Sequence, residues 1–423
     1  MTPEEIHRVV DAVWRIESAR LIAGLTRIVR DVGVAEELAQ DALVAALEQW
    51  PVSGVPDNPA AWLMGTAKHR AIDQVRRKTM QERKHEEVGR DLDARQSESG
   101  MDVDAIDDHV GDDLLRLIFI ACHPLLSKEA QVALTLRLLG GLTTDEIARA
   151  FLTPEATIAQ RIVRAKRTLS DAHVPFELPR RTELGARLTS VLGVIYLVFN
   201  EGYAATAGDD LMRPALCDEA LRVGRILAEL MPQESEVHGL VALMEIQASR
   251  SRARVGPSGA PILLLDQNRA LWDHLLIGRG LEALERARKL GGARGTYALQ
   301  AAIAACHARA HTPEATDWKR IAALYDELAE TAPSPVVELN RAVAAAMAFG
   351  PAVGLELVDD LVDEASLTAY HLLPAVRADL LFKLGRRDEA RGEFERAASL
   401  TRNLREREML LARAAECGRP ADA

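Results

Sequence analysis

The stretch that decides the fold is residues 142–169, which read LTTDEIARAFLTPEATIAQRIVRAKRTL. Thr143, followed three residues later by Glu146, is a capping-box pattern, in which each side chain satisfies a backbone N–H of the other residue at a helix start. Thr153 and Pro154 then predict a second helix, with threonine as the N-cap and proline at the first helical position. The stretch therefore predicts two short helices joined by a tight turn.

The second of these helices has one apolar and one polar side. Its apolar residues recur at 4-3-4 spacing and so form one stripe: Ile158, Ile162, Ala165 and Leu169. The polar side carries Thr157, Gln160, Arg161, Arg164 and Arg167. A helix pair whose second member presents Gln and Arg outward is the sequence form of a helix-turn-helix. Short amphipathic pairs with a basic face also occur in proteins that do not bind DNA, so the rest of the chain has to decide between these interpretations.

Composition narrows the class of protein. A chain of 423 residues is too long for one typical core, so two or three domains are expected. Aromatic residues make up only 4% of the chain and alternating β-branched segments are few, which predicts a mostly helical protein. The net charge of -11 argues against a protein that coats nucleic acid unaided, although basic faces can still be local.

No targeting or metal-binding pattern stands out. We find no apolar run near the ~20 residues that a membrane span needs and no signal-peptide core at the N-terminus, so we expect a soluble, cytoplasmic protein that binds no membrane. The four cysteines lie far apart without metal-ligand spacing, which favours buried free thiols over disulfides or a zinc site. No phosphate loop or catalytic triad is visible, so neither a cofactor nor enzymatic activity is expected.

Residues 60–78, AAWLMGTAKHRAIDQVRRK, form a second candidate for nucleic-acid binding. Trp62 precedes a cluster of basic and polar side chains: Lys68, His69, Arg70, Gln74, Arg76, Arg77 and Lys78. Cations beside an aromatic residue suit single-stranded nucleic acid, because cations hold phosphates while unstacked bases find an apolar surface. A basic helix end that complements its own dipole is the alternative, and this segment alone favours that alternative.

The segments on either side of residue 113 differ sharply in charge. Residues 81–113 contain 12 Asp or Glu against 4 Lys or Arg, which predicts a flexible acidic linker. Fully extended, such a linker spans up to ~110 Å, about three turns of duplex DNA. Residues 114–180 hold 9 basic and 6 acidic residues, so this segment is locally positive in an acidic protein.

Taken together and in this order, the segments resemble the extracytoplasmic-function group of bacterial sigma factors in the sigma-70 family. The resemblance covers roughly residues 15–172. It rests on the helix-turn-helix and on two further motifs: Ala35-Glu36-Glu37-Leu38-Ala39-Gln40-Asp41, and Ala61-Trp62-Leu63 with Ala67-Lys68-His69 and Asp73 through Arg77. His69 stands where this family more often has asparagine.

The resemblance implies a role for each segment. In such proteins a helix equivalent to the one around residues 36–48 docks on the β′ clamp of core RNA polymerase, which would here involve Glu37, Gln40, Asp41 and Glu48. On the residues alone, these carboxylates could equally be an ordinary solvated face. The segment equivalent to residues 51–78 opens and reads the −10 promoter element. The second helix of the helix-turn-helix, here residues 154–169, enters the major groove at −35.

The C-terminal 250 residues extend beyond this resemblance. Residues 384–390, LGRRDEA, resemble the second helix of a tetratricopeptide repeat (TPR), and Ala344 lies one 34-residue step before Ala378. Residues 200–203, NEGY, recur in a sigma-factor subgroup whose helical-repeat extension is thought to be regulatory. Within NEGY, Gly202 is predicted to be a helix C-cap, and a catalytic Asn-Glu pair is the alternative.

We therefore predict an all-α protein with four segments: a sigma region 2 domain (1–80), the acidic linker (81–113), a sigma region 4 domain (114–172) and a TPR-like regulatory extension (173–423). Core RNA polymerase and promoter DNA are the predicted partners, with a protein or peptide at the repeats. Two alternatives stay open. One is a stand-alone helix-turn-helix regulator with a TPR-like sensor, and the other is an enzyme with a small-molecule site around residues 200–203.

Overall fold

A computed structural model describes residues 3–87 and 110–418, and these residues are almost entirely helical. The predicted all-α class is confirmed. The α-helices are α1 (Pro3–Val29), α2 (Val32–Ser53), α3 (Pro59–Glu87), α4 (Val110–Ala121), α5 (Lys128–Leu138), α6 (Thr144–Ala150), α7 (Glu155–Asp171), α8 (Arg181–Tyr203), α9 (Pro214–Leu230), α10 (Ser235–Ala248), α11 (His274–Lys289), α12 (Thr296–Arg309), α13 (Trp318–Thr331), α14 (Pro335–Phe349), α15 (Pro351–Asp359), α16 (Leu372–Lys383), α17 (Arg387–Leu400) and α18 (Leu404–Cys417).

The chain divides into two compact units, Met1–Val194 and Ile195–Ala423. In the first unit, α1 packs against α2, α3 and α4, and α7 packs against α5, α6 and α2. The Asp31 carboxylate caps α2 by accepting hydrogen bonds from the backbone N–H groups of Gly33 and Val34, at 2.8 and 3.0 Å. The unit thus contains two sets of helices, α1–α3 and α4–α7, and these sets touch each other.

The first half of α8 also belongs to the first unit. Arg187 donates a hydrogen bond to the backbone oxygen of Phe119 at 2.8 Å, and Leu188 and Val191 are buried. The compact unit therefore continues to Val194, past the residue 172 at which the sequence placed the end of the second domain.

The predicted linker differs from the structure at both ends. Helix α3 continues through Glu87, and α4 begins at Val110. Residues 81–87 read QERKHEE, whose Gln, Glu, Arg and Lys side chains have high helix propensity and can prolong a helix despite their charge. The remainder of the predicted linker, residues 88–109, lies outside the described residues.

The second unit is a succession of helices, most of which pack on the next one along the chain. Ala344 of α14 and Ala378 of α16, which the 34-residue step paired, are both buried. Gly385 takes a left-handed conformation (φ 78°) in the tight turn between α16 and α17. A short parallel pair, β1 (Ala207–Gly208) and β2 (Arg402–Asn403), joins the beginning of this unit to its end.

Helix α8 departs from the expectation that no apolar run approaches the length of a membrane span. An 18-residue window of this helix has a mean hydropathy of 1.4, so its length and composition would suffice to cross a membrane. Core helices of soluble proteins have the same property. One such helix among the described residues is weak evidence for a membrane span, and 39% of its window is buried inside the protein.

Candidate nucleic-acid interface

Helices α6 and α7 form the helix-turn-helix that the sequence predicts. The capping box is present: Glu146 N–H donates to Thr143 Oγ1 at 3.1 Å, and Thr143 N–H donates to the Glu146 carboxylate at 2.8 Å. Leu152 lies in the turn with φ at 48°, a left-handed conformation that is uncommon for a bulky residue. The turn therefore carries backbone strain that the packing of the two helices must hold in place.

The start of α7 differs from the prediction. Pro154, with φ −54° and ψ 138°, occupies the N-cap position, and no side chain caps the helix. Thr153, the predicted N-cap, instead donates its hydroxyl to the backbone oxygen of Phe151 at 3.1 Å. The Thr153 side chain thus stabilises the turn, and the helix begins one residue later than predicted.

The two sides of α7 are arranged as its sequence pattern predicts. The apolar stripe is buried: Ile158, Ile162, Ala165 and Leu169. Thr157, Gln160, Arg164 and Arg167 are exposed, and Arg161 is half-buried. Arg167 forms an ion pair with Asp171 at 3.3 Å, one turn further along the same helix. Exposed Gln and Arg side chains on a helix with a buried opposite side can reach the edges of bases in a major groove.

Several of the predicted DNA-binding residues of α3 have partners within the protein. Trp62 is half-buried and packs edge-on against Trp50, with 5.5 Å between the ring centroids. His69 Nδ1 lies 2.7 Å from the backbone oxygen of Gly65. Lys68 is half-buried, whereas Gln74, Arg76 and Arg77 are exposed. This helix therefore carries exposed cations in its second half and a half-buried tryptophan near its start.

Helix α2 carries the predicted polymerase-binding residues. Glu37, Asp41 and Glu48 are exposed, whereas Gln40 is half-buried. Val44, which sequence reasoning missed, is 50% exposed and lies between Asp41 and Glu48. The sequence could have revealed Val44, because it follows Asp41 by three residues and precedes Glu48 by four, so all three lie on the same side of the helix. The exposed surface of α2 is thus acidic with one apolar residue near its middle.

Glu36 was overlooked in the sequence although it lies in the first motif of the resemblance. Its side chain is only 3% exposed and pairs with two cations of the second helical set, Arg137 of α5 at 2.6 Å and Lys166 of α7. Gln40 donates a further hydrogen bond to the same carboxylate at 2.7 Å. A glutamate on the buried side of a helix predicts that a cation or hydrogen-bond donor must compensate its charge. The sequence does not reveal which residue that is.

A second polar contact joins α7 to the beginning of α2. Ser170 Oγ donates to Asp31 Oδ2 at 2.7 Å. Together with the Glu36 cluster, this contact fixes one edge of α7, the edge that carries Lys166 and Ser170. The exposed Gln and Arg side chains lie on other sides of the helix, so α7 is anchored without their participation.

A cavity of about 640 Å³ adjoins the same edge of α7. Arg30 and Asp31 line it from the corner between α1 and α2, and Ser170 and His173 line it from the end of α7. Arg30 and His173 both have positive φ, 55° and 49°, so both corners are sharply turned. The cavity is lined by side chains of mixed charge, and nothing in its lining favours a particular ligand.

The NEGY segment is structural in this fold. The Glu201 carboxylate is buried and accepts hydrogen bonds from Thr206 and Arg213. Gly202 is not the predicted C-cap, because α8 continues to Tyr203. A Cβ at Gly202 would lie 2.6 Å from the backbone nitrogen of Cys217, so glycine is needed for the close approach of α9. These contacts account for Glu201 and Gly202 without a catalytic role.

The thiols fit the predicted free state. Cys122, Cys217 and Cys417 are buried and Cys306 is half-buried, all four without a disulfide. Burial raises the pKa of the Cys122 thiol to about 11 and that of Cys217 to about 12. Both thiols therefore stay protonated and unreactive at neutral pH.

Comparison with known proteins places the two helical sets in families. Residues 16–80 match the family model for sigma-70 region 2, and residues 116–169 match that for sigma-70 region 4. Residues 187–288 match a family of unknown function, DUF6596. No solved structure matches the chain.

Of three individual relatives, one is uncharacterized and two are named as ECF sigma factors. The chain is 44% identical over 386 residues to uncharacterized protein R00370 of Rhizobium meliloti, covering 91% of this chain and 90% of the relative. It is 27% identical over 168 residues to the probable ECF RNA polymerase sigma factor SigI of Mycobacterium tuberculosis, covering 40% of this chain and 57% of SigI. It is 29% identical over 159 residues to the ECF RNA polymerase sigma factor SigK of Mycobacterium sp. (strain KMS), covering 36% of this chain and 76% of SigK. The similarity to sigma-70 proteins thus lies in the N-terminal part of the chain, whereas the similarity to the Rhizobium protein extends over almost its whole length.

Proposed function

We propose that this protein is an extracytoplasmic-function RNA polymerase sigma factor, which binds core polymerase and directs it to promoters with defined −10 and −35 elements. The observation that carries the proposal is the pairing of a region 2 and a region 4 match with a helix whose Gln and Arg side chains face outward over a buried stripe. Members of the sigma-70 family initiate transcription without covalent chemistry of their own. The proposed role is therefore recognition, in the cytoplasm where polymerase acts.

The −35 element is assigned to α7. A major groove admits one α-helix, glutamine can bond both the N6 and N7 groups of adenine, and arginine can bond O6 and N7 of guanine. Gln160 and Arg164 are exposed and one turn apart, so their Cα atoms are separated by about 6 Å along the helix axis and both can face the same short stretch of groove. Thr157, Arg161 and Arg167 are proposed to contact phosphates or bases beside them.

The −10 element is assigned to α3 and the loop before it. Trp62 packs edge-on against Trp50 and is only half-buried, and we propose that its accessible part receives an unstacked base. Lys68, Arg76 and Arg77 supply positive charge along the same helix, and His69, Arg70 and Gln74 complete the proposed set. The acidic row of α2, made up of Glu37, Gln40, Asp41 and Glu48, is proposed to dock on the β′ clamp.

The extension is proposed to regulate this activity through its helical repeats, with a protein or peptide as its ligand. Its support is the succession of helices that pack on their sequence neighbours and the buried alanines at the repeat step. We retain residues 1–80, 81–113, 114–172 and 173–423 as the proposed functional segments. A truncated protein without the extension should end at Val194, where the first compact unit ends. Truncation before Arg181 would also remove Leu188 and Val191 of α8, which are buried, and would expose the surface that they cover.

The decisive experiment is transcription in vitro with purified core polymerase and the full-length protein. Sites are first found by selecting promoter fragments from a genomic or random library. We expect transcripts from specific start sites only when both proteins are present. A control without core polymerase measures duplex binding alone. Tight, sequence-specific binding in that control would contradict the proposal and support a stand-alone regulator, because α7 would then need no polymerase to hold it at its site.

A further inference from the structure

One row of α7 combines polar and apolar side chains on the exposed side. Ala156, Gln160, Val163 and Arg167 recur at 4-3-4 spacing, the same spacing as the buried stripe but on the opposite side of the helix. Ala156, Gln160 and Arg167 are exposed, and the Val163 residue is 63% exposed. The predicted DNA-reading set contains Gln160 and Arg167 of this row but neither of its apolar members.

The exposure of Val163 has no explanation in the packing of α7. The buried stripe is filled by other residues, and the edge that faces α2 is occupied by Lys166 and Ser170. Valine also has a lower helix propensity than the Arg, Lys and Gln residues that surround it, so helix formation does not favour it here. Single exposed apolar residues are common, but Val163 lies in one row with Gln160 and Arg167 of the proposed reading set, where a DNA groove bound by that set would meet it.

The chemistry of the major groove identifies that contact. The C5-methyl group of thymine is the apolar feature on the groove edges of the bases, and small apolar side chains recognise it by contact. An A·T pair presents this methyl group beside the N6 and N7 groups of adenine, which glutamine can bond. A row with glutamine between alanine and valine thus matches consecutive A·T pairs.

We propose that Val163, assisted by Ala156, reads thymine methyl groups in the −35 element, next to an adenine read by Gln160. This inference rests on the proposed function, because it assumes that α7 enters the −35 groove. It adds Val163 to the residues that determine promoter specificity, although valine has no side-chain group that can form a hydrogen bond to a base. It also predicts the composition of the site, which should contain at least one thymine whose methyl group, and not only its base pairing, is required.

The test removes that methyl group alone. Templates are made in which each −35 thymine is replaced in turn by uracil, which pairs identically but lacks the methyl group. With full-length protein and core polymerase, we expect one or two positions at which uracil lowers promoter use about threefold to fivefold, the factor expected for losing the burial of about one methyl group.

Protein variants then show whether Val163 makes the contact. Val163→Ala should lower use of the thymine template by a similar factor and should no longer distinguish thymine from uracil at one of these positions. Val163→Thr keeps one methyl group and should retain part of the distinction. Ile16→Ala is the matched control, because Ile16 of α1 is also 63% exposed and has no proposed role in recognition. It should leave both the activity and the uracil effect unchanged.

The outcomes separate this inference from the proposed function. If the wild-type protein directs specific transcription but no thymine-to-uracil change has an effect, or if Val163→Ala retains the full effect, the inference is overturned and the sigma-factor role stands. If the wild-type protein directs no promoter-specific transcription, the proposed function fails and the inference fails with it. Thermal unfolding of Val163→Ala at the wild-type temperature confirms that the fold is intact.

Discussion

The two proposed DNA-reading helices, α7 and α3, differ in how the protein holds them. Helix α7 is fixed by one edge, at Lys166 and Ser170, while Gln160 and Arg164 are exposed on other sides of the helix. Among the described residues, Arg167 pairs only with Asp171 of the same helix. In α3, residues of the proposed contact set are themselves engaged: Trp62 packs on Trp50, and Arg70 pairs with Asp41 of α2 at 3.6 Å. The exposed contact residues proposed for α7 are thus held only through their own helix in the described part of the chain, whereas two residues of the proposed α3 set are held by side chains of α2.

The comparison also shows that α2 takes part in both arrangements. Its buried Glu36 anchors α7, and its exposed Asp41 anchors Arg70 of α3. Since α2 is also the proposed polymerase-binding helix, contact with polymerase could influence both DNA-reading helices through it.

The largest effect is expected from Glu36→Gln. Removing this buried carboxylate leaves Arg137 and Lys166 partly buried without their counter-charge, which costs about 3–5 kcal/mol. Hydrogen exchange of the α2 and α7 amides in the full-length protein would measure the loss as faster exchange in both helices. Glu37→Gln, at the exposed neighbouring position, should leave the exchange nearly unchanged. Equal effects of the two substitutions would show that the buried cluster does not hold α7.

Arg164→Ala should have the next largest effect. It should lower promoter use and leave the free energy of unfolding nearly unchanged. Loss of a bidentate arginine–guanine contact costs ~1–3 kcal/mol, so promoter use should fall roughly 5-fold to 150-fold. Transcription from templates with single −35 substitutions measures whether the variant has lost discrimination at one position. Arg149→Ala, an exposed arginine of α6 paired with Asp145, is the matched control. A uniform loss on all templates would indicate a phosphate contact and not base readout.

Trp62→Ala should impair promoter opening by a similar or smaller amount. Stacking of one base on an aromatic ring contributes ~1–3 kcal/mol, and the edge-on contact with Trp50 contributes ~0.5–1.5 kcal/mol to the fold. Permanganate footprinting of the −10 region measures opening directly. A template with a mismatched, already open −10 segment should restore much of the activity, and Trp62→Phe should retain most of it. No improvement on the open template would place the defect elsewhere.

The smallest effect is expected from Asp41→Asn. The pair between Asp41 and Arg70 is solvent-exposed, and such pairs contribute at most about 1 kcal/mol, which salt weakens further. Urea unfolding at low and high salt should show a change below that value, and the difference should shrink as salt is added. A larger loss that persists in high salt would mean that Asp41 has a structural role beyond this pair.

Local patterns in the sequence predicted the local features of the site well. The capping box of α6 and the buried stripe of α7 depend on residues within a few positions of one another, so spacing alone reveals them. The predictions for Thr153 and Gly202 were wrong for different reasons. The Thr153 hydroxyl bonds back to Phe151 in the turn and leaves Pro154 as the N-cap, and the close approach of α9 requires glycine inside α8 and not at its end.

The sequence by itself determined the helical class, the helix-turn-helix and the polar face of α7, because helix periodicity and capping are encoded in neighbouring residues. Only the tertiary structure decided which charges are buried and what they pair with. Glu36 and its partners Arg137 and Lys166 are more than a hundred positions apart, and no local pattern links them. The cost of burying an unpaired carboxylate makes such a pairing necessary, but the fold alone selects the cations that satisfy it.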